Sequence, residues 1–222
     1  MDMELRNIQK HYKKKHVLRD VSLQANRGCC IGILGGNGSG KSTLLSILAG
    51  VQSCDSGSFL WQEKDLLKDG KMRGEVVGYV PQGTPLIEEL TAWDNLLLWY
   101  DKETLKQELQ NGVLAMLGIG EFLKTPVNKM SGGMKKRVSI GCSVAGRPQI
   151  LLLDEPTAAL DLVCKEQIYR YLAGYKASGG ILLLATHDIQ ELELCDAWYI
   201  LKDGVLTPYQ YDGNVHHLAE RL

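Results

Sequence analysis

Residues 29–49 read CCIGILGGNGSGKSTLLSILA, and three features of this stretch decide the fold. Cys29 to Leu34 is a short apolar run without alternation, the pattern of a strand buried on both faces of a parallel sheet. Gly35 to Ser42 is a glycine-rich turn of the form G-x-x-x-x-G-K-S. Thr43 to Ala49 predicts the helix that follows. Strand, turn and helix in that order begin a crossover unit, so the chain is expected to be α/β.

The residue types of the turn fit one chemistry. Glycines at 35, 36, 38 and 40 permit backbone angles that turn successive N–H groups inward, and the following helix adds its positive end. Such a cradle suits phosphate. Lys41 is placed to reach the β and γ phosphates of a nucleotide, and Ser42 to offer a hydroxyl to Mg²⁺. Asn37, Ser39 and Thr43 belong to the same stretch. The plain alternative is a strand-to-helix turn carrying a solvated lysine.

Working outward, Ile150 to Leu153 is a second apolar run and ends in Asp154 and Glu155, where ligands collect in open α/β sheets. Asp154 is the candidate to hold Mg²⁺ through water. Glu155 is the candidate base that polarises an attacking water. A turn cap before Pro156 is the competing role for either acid. A third run, Ile181 to Ala185, precedes Thr186 and His187.

The remaining segments fit around this core. Met3 to Asn26 alternates with turns and predicts antiparallel β; Phe59 to Gln62 predicts another strand. From Thr91 to Gly146 the strand runs vanish, while Leu96, Leu97, Leu105, Leu109, Val113, Leu114 and Leu117 recur at helical spacing. The expectation is a single domain: a P-loop NTPase core of mainly parallel sheet with an N-terminal antiparallel β subdomain, over 1–90 and 147–222, and an inserted helical subdomain over 91–146. Asp203-Gly204 between Trp198–Leu201 and Val205-Leu206 signals a hairpin.

Composition narrows the function classes. Lysine and arginine number 25 against 26 acidic residues, so the net charge of −1 gives no argument for nucleic acid. The six cysteines are scattered without a C-x-x-C and read as reduced thiols, mostly in the core. Met1 to Lys10 is too polar for a secretory signal, and no apolar run approaches the ~20 residues of a spanning helix. Lys13-Lys14-Lys15 is too short for a nucleic-acid footprint, and His216-His217 has no further metal ligands in evidence.

The order Gly35 to Ser42, Gln82, Ser131-Gly132-Gly133, Asp154-Glu155, Asp161 and His187 resembles the nucleotide-binding domain of ABC transporters over nearly the whole chain. The resemblance implies ATP and Mg²⁺ as ligands and ATP hydrolysis as the activity. It implies that Tyr12 stacks on adenine, that Gln82 touches Mg²⁺ or the water and links the site to a membrane partner, and that His187 holds the γ-phosphate. Ser131-Gly132-Gly133 resembles the signature loop, which binds nucleotide held by the opposite subunit, and Asp161 the loop that crosses the dimer interface. A head-to-tail homodimer or heterodimer and a separate transmembrane permease subunit follow from the same resemblance, as does a place on the cytoplasmic face of the membrane. Trp93 and Leu96 to Trp99 lie where the family receives a coupling helix, although helical periodicity assigns most of them to the core.

Met134 stands where the family often has glutamine, and Lys135-Lys136-Arg137 follow it. This variant is similar to the ATPase subunits of ABC-2-type exporters, which favours export. A rival reading is a soluble ABC ATPase that powers no transport, such as an iron–sulfur cluster assembly factor.

Overall fold

The computed structural model describes residues 1–13, 15–186, 188–213 and 215–221. Its sheet has ten strands, all among the described residues. In chain order the elements are β1 (Met3–Tyr12), β2 (Lys15–Ala25), β3 (Cys30–Leu34), α1 (Lys41–Ala49), β4 (Ser56–Trp61), β5 (Lys64–Asp65), α2 (Gly70–Val76) and β6 (Val77–Val80). Then come α3 (Ala92–Leu96), α4 (Lys102–Asn111), α5 (Val113–Met116), α6 (Gly132–Ser143), β7 (Ile150–Asp154), α7 (Leu162–Ala177), β8 (Ile181–Ala185), α8 (Ile189–Leu194), β9 (Ala197–Lys202), β10 (Val205–Tyr209) and α9 (Val215–Arg221).

The strand order is β5-β4-β1-β2-β10-β9-β3-β8-β7-β6. The run β6-β7-β8-β3-β9 is parallel, and β3, β7 and β8 are buried at every residue, as their unbroken apolar sequences require. The other arm, β2-β1-β4-β5, is antiparallel and joins through a single parallel bridge, Val205 to Asp20. The β9–β10 turn carries Asp203 at φ 51° and Gly204 at φ 80°, the paired positive angles of a tight hairpin.

Side chains alternate across the parallel strands. Ile31, Ile33, Ile150, Leu152, Ile181 and Leu183 face one core, together with Leu44, Leu45, Ile47 and Leu48 of α1 and apolar residues of β1, β2 and β4. Leu151, Leu153, Leu182 and Leu184 face a second core shared with α3, α5, α6 and α7. Because α1 is enclosed between the two arms of the sheet, it is apolar around most of its circumference. That enclosure fixes the loop before it. All six cysteines are free thiols, four of them buried.

Between β6 and β7 the named elements are helical. Leu96 is buried there, whereas Leu98 and Trp99 are more than 60% exposed. The apolar stripe is therefore split between core and surface: α3 ends at Leu96, Leu98 and Trp99 after it stand open, and Tyr100 returns to the core.

Candidate functional site

The loop at 35–40 is held between buried β3 and enclosed α1. Gly38 and Gly40 have φ of 78° and 111°, in the left-handed region, and a Cβ on Gly35 would lie 2.5 Å from the Leu201 carbonyl oxygen. Gly36 shows neither constraint, so the backbone argument holds for three of the four glycines. No side chain caps α1, and its first turn carries no acid. Its leading N–H groups are left to an anion.

Lys41 is buried, and its Nζ donates to the carbonyl oxygens of Gly35 at 2.5 Å and Gly36 at 3.3 Å. Burial pushes its pKa down, opposed by the charges of Glu155 and Asp154. The ammonium thus rests on the loop and faces two carboxylates.

Asp154 ends β7 with 3% of its surface exposed. Burial pushes its carboxyl above the usual range, and a hydrogen bond with Ser42 opposes that rise. Hydroxyl and carboxylate are hard oxygen donors of the kind Mg²⁺ takes. Among the described residues no three His, Cys, Asp or Glu side chains converge as a metal cage, so a cation here would draw its remaining ligands from phosphate and water.

Glu155 follows with φ 48°, an unfavourable angle for a side-chain-bearing residue. The surroundings hold it there. Its N–H donates to the Ala185 carbonyl at 2.8 Å, and Thr157 two residues on donates through N–H and Oγ1 to Glu191 Oε1 at 3.1 and 2.6 Å. Gln82 Nε2 donates to Glu155 Oε2 at 3.0 Å.

One open cavity of about 560 Å³ gathers Tyr12, Asn37 to Thr43, Gln82 and Glu155. Tyr12, 43% exposed, lies at its edge, with the Lys10 ammonium 5.3 Å from its ring centroid and its hydroxyl bonded to Gln52. His187 lies outside the described residues.

Ser131, Gly132, Gly133 and Asp161 do not line this cavity. Ser131 caps α6 by accepting from Met134 N, and Asp161 caps α7 by accepting from Cys164 N. Gly133 permits the contact between these helices, since a Cβ there would lie 2.5 Å from Cys164 Sγ. Ser131, Gly132 and Asp161 are exposed, as are Leu162 and Val163 at 78% and 70%.

The sequence reading gave Lys136 no role in the site. It is 4% exposed, and its Nζ donates to the carbonyl oxygens of Pro81 and Gln82, both at 2.9 Å. No periodic signal marked it, because α6 is buried without a break from Lys136 to Cys142. Glu191, which holds the turn after Glu155, carried no sequence signal; burial raises its pKa against hydrogen bonds from Thr157 and Thr186.

Fold and site together define a P-loop nucleotide-binding α/β protein. The family profile described as ABC transporter matches residues 18–158, and the chain belongs to that family as an ABC ATPase. It is 30% identical to the lantibiotic transport ATP-binding protein SrtF of Streptococcus pyogenes, over 96% of this chain and 92% of the relative. It is 33% identical to the lipopolysaccharide export system ATP-binding protein LptB of Acidithiobacillus ferridurans, over 92% and 88%. Among solved structures it superposes on the ATP-binding cassette MJ0796, in a dimeric post-hydrolysis state bound to ADP and Pi, with TM-score 0.84 and 29% identity, over 94% of this chain and 98% of that one.

Proposed function

We propose that the chain binds and hydrolyses ATP at a site shared between two copies or close relatives, and so drives an exporter through a separate membrane subunit. The observation that carries this reading is the separation of the two phosphate-binding elements. The loop, Gln82 and Glu155 line one cavity, while Ser131 sits outside it, exposed and without a ligand role inside its own chain.

In this reading Tyr12 supports the adenine ring, the α1 amides and Lys41 hold the β and γ phosphates, and His187 contacts the γ-phosphate. Ser42 and Asp154 hold Mg²⁺, which would offset phosphate charge and orient the γ-phosphoryl group. Gln82 orients Glu155, and Glu155 takes a proton from the attacking water. The opposite chain supplies Ser131, Gly132 and Gly133, with Asp161 and the apolar Leu162-Val163 pair at the contact. Closing two surfaces over the nucleotide excludes water and strengthens every charge interaction inside. Loss of the γ-phosphate removes the bridge.

A groove of about 770 Å³, lined by Val51, Tyr79, Pro81, Leu86 and Trp99, lies beside Gln82 and would receive a helix of the membrane subunit. No helix among the described residues is long and apolar enough to cross a membrane. Export, rather than import, is favoured by Met134 and the basic residues after it. Co-purification of a polytopic membrane protein tests the partner and separates this reading from a free-standing assembly factor.

The shared site has a kinetic consequence. Specific ATP turnover should rise with protein concentration and reach a plateau as dimers fill, measured as phosphate release across the association range found by analytical ultracentrifugation. Constant specific activity on both sides of that range would contradict the shared site.

A further inference from the structure

The buried ammonium of Lys136 joins α6 to the main chain just after β6. It stands on α6, five residues after Ser131, and ties the Pro81 and Gln82 carbonyl oxygens at 2.9 Å each. Gln82 in turn donates its side-chain amide to Glu155 at 3.0 Å. A continuous path therefore runs from the exposed N-terminus of α6, through Lys136, to the main chain and then the side chain of Gln82, and on to Glu155.

We propose that Lys136 is a positioning residue, which makes the placement of Gln82 and Glu155 follow the placement of the α6 N-terminus. The inference rests on the reading of Glu155 as base and of Ser131 as a contact to nucleotide on the opposite chain. Helix α6 runs unbroken over its twelve residues with Lys136 in its second turn, so a shift of its N-terminus on meeting phosphate would carry Lys136 with it. The two carbonyls follow, because an ammonium buried among them has no water to turn to. Neighbouring Arg137 differs. It bonds the Leu117 carbonyl and Gln167 and lies over the Phe122 ring, all away from the cavity, so its contacts hold the helical region together instead.

The test is a double-mutant cycle on the full chain, with phosphate release giving kcat and KM, and titration with a fluorescent ATP analogue giving affinity. Lys136→Met keeps the apolar stem and removes the donors. It should lower kcat about 10- to 100-fold, the scale of a misplaced reacting group, with affinity within about 3-fold of the parent. Lys136→Gln, which restores N–H donors, should recover part of the loss. In a Gln82→Ala background Lys136→Met should cost nothing further, because the path is already cut. Should Lys136→Met fail to fold, Lys136→Ala carries the same test, since its vacated space admits water to the carbonyls without tying them to α6.

Parental kcat in the folded variant, or losses that add in the cycle, would overturn the inference. Glu155→Gln measured alongside keeps the two readings apart. Inactive Glu155→Gln with an additive cycle overturns the Lys136 inference alone. Active Glu155→Gln overturns the base assignment on which that inference rests.

Discussion

Glu155→Gln should lower ATP turnover about 10²- to 10⁴-fold, the usual share of a positioned general base, and leave the nucleotide bound between two chains. The expectation comes from geometry. Glu155 lines the cavity and is held at φ 48° by the Ala185 carbonyl and by the Thr157–Glu191 contacts. A strained residue kept in place by three neighbours marks a position where orientation outweighs local backbone comfort. Glutamine has nearly the same shape and can still hydrogen-bond Gln82, so folding and phosphate contacts should survive. Proton acceptance is lost. Phosphate release gives the rate, and sedimentation with ATP gives the trapped dimer. A variant hydrolysing at the parental rate would remove Glu155 from the mechanism.

Lys41→Ala should weaken ATP binding about 10- to 100-fold or more and bring turnover below detection. A hydrogen bond to a charged group contributes about 1.5–3 kcal/mol, and about 1.4 kcal/mol is a tenfold change in affinity. Lys41 is the one described lysine that is both buried and part of the cavity wall, resting on the Gly35 and Gly36 carbonyls. On phosphate binding it exchanges those carbonyls for anionic oxygens without leaving its buried position. Removing it also leaves Asp154 and Glu155 facing the triphosphate with no cation from the loop, so repulsion adds to the lost bonds. Calorimetric titration with ATP at fixed Mg²⁺ measures the change; parental affinity would contradict the assignment.

How far the sequence reveals these features depends on how local their causes are. Strands β3, β7 and β8 are legible because burial on both faces leaves an unbroken apolar run, and the β9–β10 turn because two adjacent positive angles favour Asp-Gly. The phosphate loop is legible for the same reason. Gly38 and Gly40 answer a local demand, their left-handed φ, whereas Gly35 makes room for the distant Leu201 carbonyl and Gly36 answers neither demand.

Features set by distant packing are less legible. Lys136 reads as one of three basic residues in a row, and only α6 lying against the Pro81–Gln82 main chain makes it a buried donor. Leu96 and Trp99 belong to one apolar stripe in sequence, but the end of α3 separates a buried residue from an exposed one. The strain at Glu155 is set by Ala185 and Glu191, thirty and more residues along the chain.

The central claim is that each catalytic site is built from two chains, and complementation measures it most directly. Lys41→Ala disables the phosphate loop and keeps the α6 N-terminus; Ser131→Arg does the reverse. Each alone should be inactive. Mixed in equal amounts, they should recover about a quarter of the parental rate, since half the dimers are mixed and each mixed dimer holds one intact site of two. A mixture no more active than its separate components, with mixed dimers verified by native mass spectrometry, would contradict the account.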